Sequence, residues 1–177
     1  MIKEVRGKIV FLQNFASRKY GWFGLDYHNT FSIQDDHKLT SNWDLYAKWL
    51  KVKEHLIKAN KNKQSQINFL SGSTGAFPYF VASGHSYQET KAPRLLTGLI
   101  TQEWGSIYPD FPRVGCSIGL CSIAFEGTNT LTKNYIIDNR LEYVGIVVAD
   151  FPGSGLINAI ININLRNGYY ITTVSYT

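Results

Sequence analysis

Four polar residues follow short apolar runs in this chain. Asn14 follows residues 7–13, Asp35 follows 30–34, Ser71 follows 66–70 and Asp150 follows 144–149. In folds where parallel strands alternate with helices, chemistry collects at the carboxyl ends of strands, because the connecting loops gather there while the interiors are committed to packing. Asp150 is the sharpest of the four. A carboxylate directly after Val144-Gly145-Ile146-Val147-Val148-Ala149 should be partly desolvated and need a partner to stay charged. Position alone leaves a second reading open, a helix N-cap with Pro152 in the first turn. Asp35 and Asp36 are open in the same way, as ligand carboxylates or as a turn pair before the next helix. Of the histidines, His28, His37, His55 and His85 have no metal-ligand spacing among themselves. His85 lies in the small-residue loop Ser83-Gly84-His85-Ser86, where it can touch a ligand, whereas His55 falls on a charged helix face and reads as solvated.

Several chemistries lose their support. The chain has no G-x-x-x-x-G-K-[ST], H-E-x-x-H, G-x-S-x-G or G-x-G-x-x-G, which removes the usual signatures of nucleotide, zinc-protease, esterase and dinucleotide sites. Cys116 and Cys121 are too few for a disulfide framework and lack a zinc pattern, so they read as buried free thiols. A net charge of +5 favours anionic partners weakly. Lys48, Lys51, Lys53, Lys58, Lys61 and Lys63 read as the wet face of one helix and not as a nucleic-acid patch.

The elements that must position these residues follow from periodicity. With 177 residues, 44% of them apolar and only 18% charged, the chain is expected to fold as one domain over 1–177. No apolar run approaches the ~18 residues of a membrane span. The start of the chain lacks the apolar stretch and cleavage site of a signal peptide. Residues 7–13 read as a strand buried on both faces, with further strands at 30–34, 66–70 and 144–149. Leu45, Trp49, Val52 and Leu56 recur at helical spacing after Ser41-x-x-Asp44, a variant capping box. A last helix runs from Pro152 to about Leu165, while residues 76–139 are the hardest to parse. Strands alternating with helices predict an α/β chain, a parallel sheet with helices outside.

The motifs Arg6-Gly7-Lys8-Ile9-Val10-Phe11-Leu12, Ile33-Gln34-Asp35-Asp36, Ile67-Asn68-Phe69-Leu70-Ser71 and Val144-Gly145-Ile146-Val147-Val148-Ala149-Asp150-Phe151-Pro152 occur in an order that resembles the bacterial-type phosphatidylinositol-specific phospholipase C family. Pro78-Tyr79-Phe80-Val81-Ala82-Ser83-Gly84-His85-Ser86 and Ile123-Ala124-Phe125-Glu126-Gly127-Thr128-Asn129 resemble a longer microbial subgroup. The resemblance implies the C-terminal half of a distorted TIM barrel, since a whole one takes ~250 residues. It places the two catalytic histidines and the phosphate-binding arginine on strands before Met1. The implied chemistry is attack of the inositol 2-hydroxyl on its own phosphodiester, giving diacylglycerol and inositol cyclic phosphate. Asp150 would orient the base histidine and Asp35 would bind inositol. His37 stands where the family often has a tyrosine, and Asn14 where some members have an arginine. With His85 these make up the expected site.

No cofactor or metal ligand set is visible in the sequence. The expected partners are an inositol phospholipid, a membrane surface met peripherally and a missing N-terminal half; nucleic acid is not expected. By resemblance the protein would be secreted. A rival reading is a non-catalytic module for inositol lipid or glycan. Tyr20, Trp22, Phe23, Trp104 and Tyr108 suit either a bilayer interface or the cover of an open core.

Overall fold

The computed structural model describes residues 8–15, 19–21, 23–87, 92–102 and 107–168. Arg6, Gly7, Trp22 and Trp104 lie outside the described residues. In chain order the elements are β1 (Leu12–Gln13), β2 (Leu25–Asp26), α1 (Tyr27–Thr30), β3 (Ser32–Gln34), β4 (Lys38–Leu39), α2 (Asp44–Asn62), β5 (Gln66–Phe69), β6 (Ser73–Thr74) and α3 (Pro78–Ser83). They continue with β7 (Leu96–Thr101), β8 (Arg113–Ser117), β9 (Leu120–Ala124), α4 (Thr128–Asp138), β10 (Ile146–Val148) and α5 (Gly153–Arg166). The chain is thus mixed α/β, and among the described residues three of four sheets are parallel: β10-β5-β3, β1-β2 and β4-β6. The fourth, β7-β9-β8, is antiparallel and occupies the segment the sequence left unparsed.

Register assigns the two faces of the central sheet. Ser32 and Gln34 align with Gln66 and Asn68, and Val147 aligns with Asn68, so these five residues share one face. Helix α2 lies on that face, with the Asn68 Nδ2 donating to the Val52 carbonyl at 3.0 Å. Leu45, Trp49, Val52, Leu56 and Ala59 of α2 are all buried in the core, each large one contributing roughly 1.5–3 kcal/mol by leaving water. The other face carries Ile33, Ile67, Phe69, Ile146 and Val148, and there Ile146 and Val148 remain 43% and 37% exposed. The 144–149 run, expected as a buried strand, is therefore an edge strand with one open face.

The first strand departs further from expectation. Only Leu12 and Gln13 pair, parallel with β2, and Ile9 and Phe11 are exposed. An apolar run is buried on both faces only if layers cover both, and here Gln13 alone of its side chains is enclosed.

The α2 start also differs in detail. The helix begins at Asp44 after Trp43, which offers no side-chain cap. The Asp44 carboxylate accepts from the Thr40 hydroxyl and from the backbone N–H groups of Thr40 and Ser41, at 2.6–3.1 Å. These bonds, the hydroxyl first, hold Asp44 below the usual carboxylate range. It is the acidic half of a capping box without the serine half.

Cys116 and Cys121 form a disulfide across the β8–β9 turn. Odd spacing sends two side chains to opposite faces of a single strand, but a reversal between them brings the two residues opposite each other on paired strands. That corrects the expectation of free thiols.

Candidate functional site

Strands β3, β5 and β10 run the same way, so their carboxyl ends make one edge, and Asp35, Ser71 and Asp150 all follow there. Other segments tie that edge together. The Ser73 N–H donates to the His37 carbonyl at 2.8 Å, joining the loops after β3 and β5. The Thr128 hydroxyl bonds the carbonyls of Leu70 and Val81 at 3.0 and 3.1 Å, fixing the start of α4 beside the end of β5. Asn129 Nδ2 donates to the carbonyls of Asp150 and Phe151 at 2.8 and 3.0 Å. Phe151 sits at φ 47°, in the left-handed region that a phenylalanine rarely adopts. Its ring meets Tyr79 edge-on, centroids 5.5 Å apart.

Asp150 is exposed, which corrects the expected desolvation. It is not a cap either, because the N-cap of α5 is Pro152. Among the described residues no side chain bonds its carboxylate, and what fixes Asp150 is its backbone, held by Asn129.

Asp35 is half exposed and lies 3.1 Å from His37 Nδ1. Its neighbour Asp36 pairs with Lys51 at 2.7 Å. Burial first, and the Asp35 carboxylate second, push the Tyr27 phenol up, which sets a phenol in the field of Asp35. Two strand spacings separate the β3 and β10 ends, roughly 10 Å, so Asp35 and Asp150 flank a cleft's width without touching. Asn14 stands apart, because β1 pairs only with β2 among the described strands. His85 is half-buried, its backbone bridged to Arg94.

Two helix residues read as solvated are buried. Lys48 is 1% exposed, with its ammonium donating to the Phe69 carbonyl at 2.6 Å and to Gln34 Oε1 at 3.2 Å. Gln34 Nε2 completes the cluster by donating to Asn68 Oδ1 and to the Phe69 carbonyl, and the Asp36 N–H donates to Gln34 Oε1 at 2.7 Å. Burial brings Lys48 down to about 8, against the partial opposition of Asp36 and Asp35. This cluster lies directly under the Asp35–Asp36 turn and fixes where it leaves the sheet. His55 is also buried, Nε2 against the Ser32 carbonyl at 3.1 Å, and desolvation lowers it. A signal for both was present: Lys48 is three after Leu45 and four before Val52, and His55 is three after Val52 and four before Ala59, the spacing of the apolar stripe itself.

The aromatic residues divide. Tyr108 packs on Tyr46 and Phe111 at 4.9 and 5.7 Å and belongs with the core, while Tyr20 and Phe23 are 78% and 49% exposed. Among the described residues no group of three or more His, Cys, Asp or Glu side chains is placed to hold a metal ion. No helix among them is long and apolar enough to cross a membrane. Comparison with known proteins finds no family model, no curated protein and no solved structure that matches the chain.

Proposed function

We propose that the chain supplies the substrate-binding and base-orienting half of a phosphatidylinositol-specific phospholipase C-type site, as the C-terminal half of a TIM-like barrel. The observation that carries this reading is the common edge. Residues far apart in sequence, Asp35 and Asp150, stand on one edge, at the carboxyl ends of parallel strands with a helix on one face and apolar side chains on the other, the arrangement a barrel wall requires. In this reading the face with Ile33, Ile67, Phe69, Ile146 and Val148 belongs to the barrel interior, where Ile67 is already buried and a preceding half of the barrel covers the exposed Ile146 and Val148.

The roles follow from the chemistry. Asp150, fixed by its backbone and with no side chain on its carboxylate among the described residues, accepts the N–H of a base histidine contributed by the preceding half and stabilises the imidazolium that forms. Asp35 accepts inositol hydroxyls, with His37 beside it and His85 across the edge. The lipid is reached at a membrane surface, where exposed Tyr20 and Phe23 suit the interface.

Sedimentation with vesicles of phosphatidylinositol in phosphatidylcholine tests this. The chain alone should prefer the inositol lipid over phosphatidylcholine and release no inositol cyclic phosphate. Asp35→Asn should cut that preference about tenfold, the loss of one charge-assisted hydrogen bond. Equal binding to both vesicles, or turnover by the chain alone, overturns the reading.

A further inference from the structure

We propose that His85, Arg94 and Glu126, with the start of α4, form an oxyanion site for a phosphate ester on the same edge as Asp35 and Asp150. The proposal deepens the reading above by naming the group on this chain that takes the phosphate.

Two loops build it. His85 and Arg94 face each other across an antiparallel bridge, supported by the Leu95 N–H on the Gly84 carbonyl at 3.0 Å, so their Cβ atoms stand roughly 5 Å apart on one side. This pair is pressed onto the start of α4. A Cβ on Gly84 would meet the Phe125 carbonyl oxygen at 2.6 Å, and one on Gly127 would collide with the Ala82 carbonyl. Glycine at both positions is what permits the approach.

The polar inventory then points to a ligand. Glu126, 7% exposed at its side chain, accepts from Arg94 Nη2 at 2.8 Å with one oxygen and from the Gly127 N–H at 3.1 Å with the other. Its two oxygens are committed, but the donors around it are not exhausted. Among the described residues, Arg94 Nε and His85 Nδ1 are buried without a partner, as is the acceptor Asn129 Oδ1, and Asn129 is only 7% exposed. Asn129 stands in the first turn of α4, already bonded through its Nδ2 to the Asp150 carbonyl. Unpartnered buried groups of this kind are rare in native proteins. Here three of them stand around one helix start, where the backbone dipole favours negative charge.

Arg94 is 36% exposed, so an oxyanion has a route in along the guanidinium. Arginine offers five donors in a plane, and Glu126 uses one. The shared ligand chemistry is a phosphate oxyanion, with Asn129 Oδ1 left to accept a hydroxyl from the esterified alcohol.

The test follows the His85 imidazole resonances by NMR in the full chain, at pH 7, titrated with inorganic phosphate, with myo-inositol 1-phosphate and with myo-inositol. Wild type should show a saturable shift with both phosphates in the millimolar range. Arg94→Gln should weaken it at least tenfold. That variant strands a buried carboxylate and can unfold for that reason. The double variant Arg94→Gln with Glu126→Gln removes both charges, keeps the shape and should bind as weakly. Glu126→Gln alone separates a site from mere scaffolding, because losing the competing carboxylate should tighten phosphate binding severalfold, whereas a structural ion pair predicts no gain.

Unshifted His85 resonances, or wild-type affinity in the double variant, overturn the oxyanion site even if Asp35-dependent binding to phosphatidylinositol vesicles persists. If inorganic phosphate binds and the inositol ring adds nothing, the oxyanion site stands and the inositol-lipid reading falls. If the ring adds affinity that Asp35→Asn removes, both hold.

Discussion

The two three-stranded sheets of this chain differ in every respect that matters for chemistry. The parallel β10-β5-β3 sheet draws its strands from distant parts of the sequence and lays one face under α2, with Gln34, Asn68 and Lys48 enclosed between them. The antiparallel β7-β9-β8 sheet comes from one contiguous stretch, its register shifts between Leu96 and Ile100 and again between Val114 and Ser117, and it leaves Leu96 and Ile100 exposed. Gly98 and Gly115 sit at φ 79° and 56° with open space around them, so their conformational freedom serves those irregularities and not a close approach. A parallel sheet needs crossovers, and each crossover returns the chain to the same edge. That is how residues 35, 71 and 150 come together. A hairpin brings together only near neighbours, and it makes a surface.

The joint between the two regions is Asp110. Its carboxylate accepts from Trp49 Nε1 at 2.8 Å and pairs with Lys53 at 2.9 Å, tying the segment before β8 to the middle of α2. Trp49→Ala should therefore give the largest loss, about 3–5 kcal/mol in denaturant melts, because it empties a buried indole site and takes one donor away from the Asp110 carboxylate. Trp49→Phe keeps most of the volume and should cost much less. Equal losses for the two variants would show the hydrogen bond, and not the packing, to be the tie.

Lys48 makes the parallel region sensitive to pH. In the folded chain it titrates at about 8, while the unfolded lysine holds its proton to 10.5. Between those values unfolding takes up a proton, so stability rises with pH across that window, by up to about 3 kcal/mol. Tyr27 and Tyr46 are raised, which opposes the gain once pH passes 10. Lys48→Met should flatten the rise. Its two acceptors keep other donors, since Gln34 Oε1 still receives the Asp36 N–H and the Phe69 carbonyl still receives Gln34 Nε2. Melts of both proteins from pH 7 to 10 decide it, and a parallel pair of curves would remove Lys48 as the cause.

What could be read from sequence divides along the same line. The parallel strands at 32–34, 66–69 and 146–148 and the helices α2 and α5 were visible, because burial writes a period into each. Their common edge followed from strand direction. Burial itself is not legible where it depends on a second layer, as at Ile9 to Phe11 and at β10, where apolar side chains stay exposed. Charge points Lys48 and His55 to solvent, but their spacing puts them on the buried stripe. Glu126, Arg94 and Asn129 gave no local signal as a group. Their meeting depends on two loops closing over glycines far apart in sequence, which no period encodes. Number and spacing point Cys116 and Cys121 to free thiols, whereas the disulfide comes from the turn at Ile118 and Gly119 that sets the two residues opposite each other.

Reduction should touch the antiparallel region alone. The disulfide between Cys116 and Cys121 closes a short loop, so the entropy it removes from the unfolded chain is worth about 2 kcal/mol. Hydrogen exchange with and without reductant should show faster exchange in β8 and β9 and unchanged protection in β3 and β5. Loss of protection in β5 would mean that the two sheets unfold as one unit.

The smallest effect on stability, and the most specific on binding, belongs to the hairpin tip. Ile118 is 99% exposed at φ 48° between Ser117 and Gly119, and no charged residue lies from Gly115 to Ala124. An isoleucine held out in water gains nothing for the fold, so Ile118→Asp should change stability by no more than about 0.5 kcal/mol. At a bilayer the same side chain would enter the interface, and a carboxylate there loses both apolar burial and, beside anionic lipid, electrostatic favour. The variant should weaken sedimentation with phosphatidylinositol vesicles about tenfold while leaving the His85 response to soluble phosphate intact. If vesicle binding is unchanged, the exposed β7-β9-β8 surface does not meet the lipid, and the contact proposed for Tyr20 and Phe23 is left to carry the binding alone. A Phe23→Ala variant in the same vesicle assay then decides between the two sides.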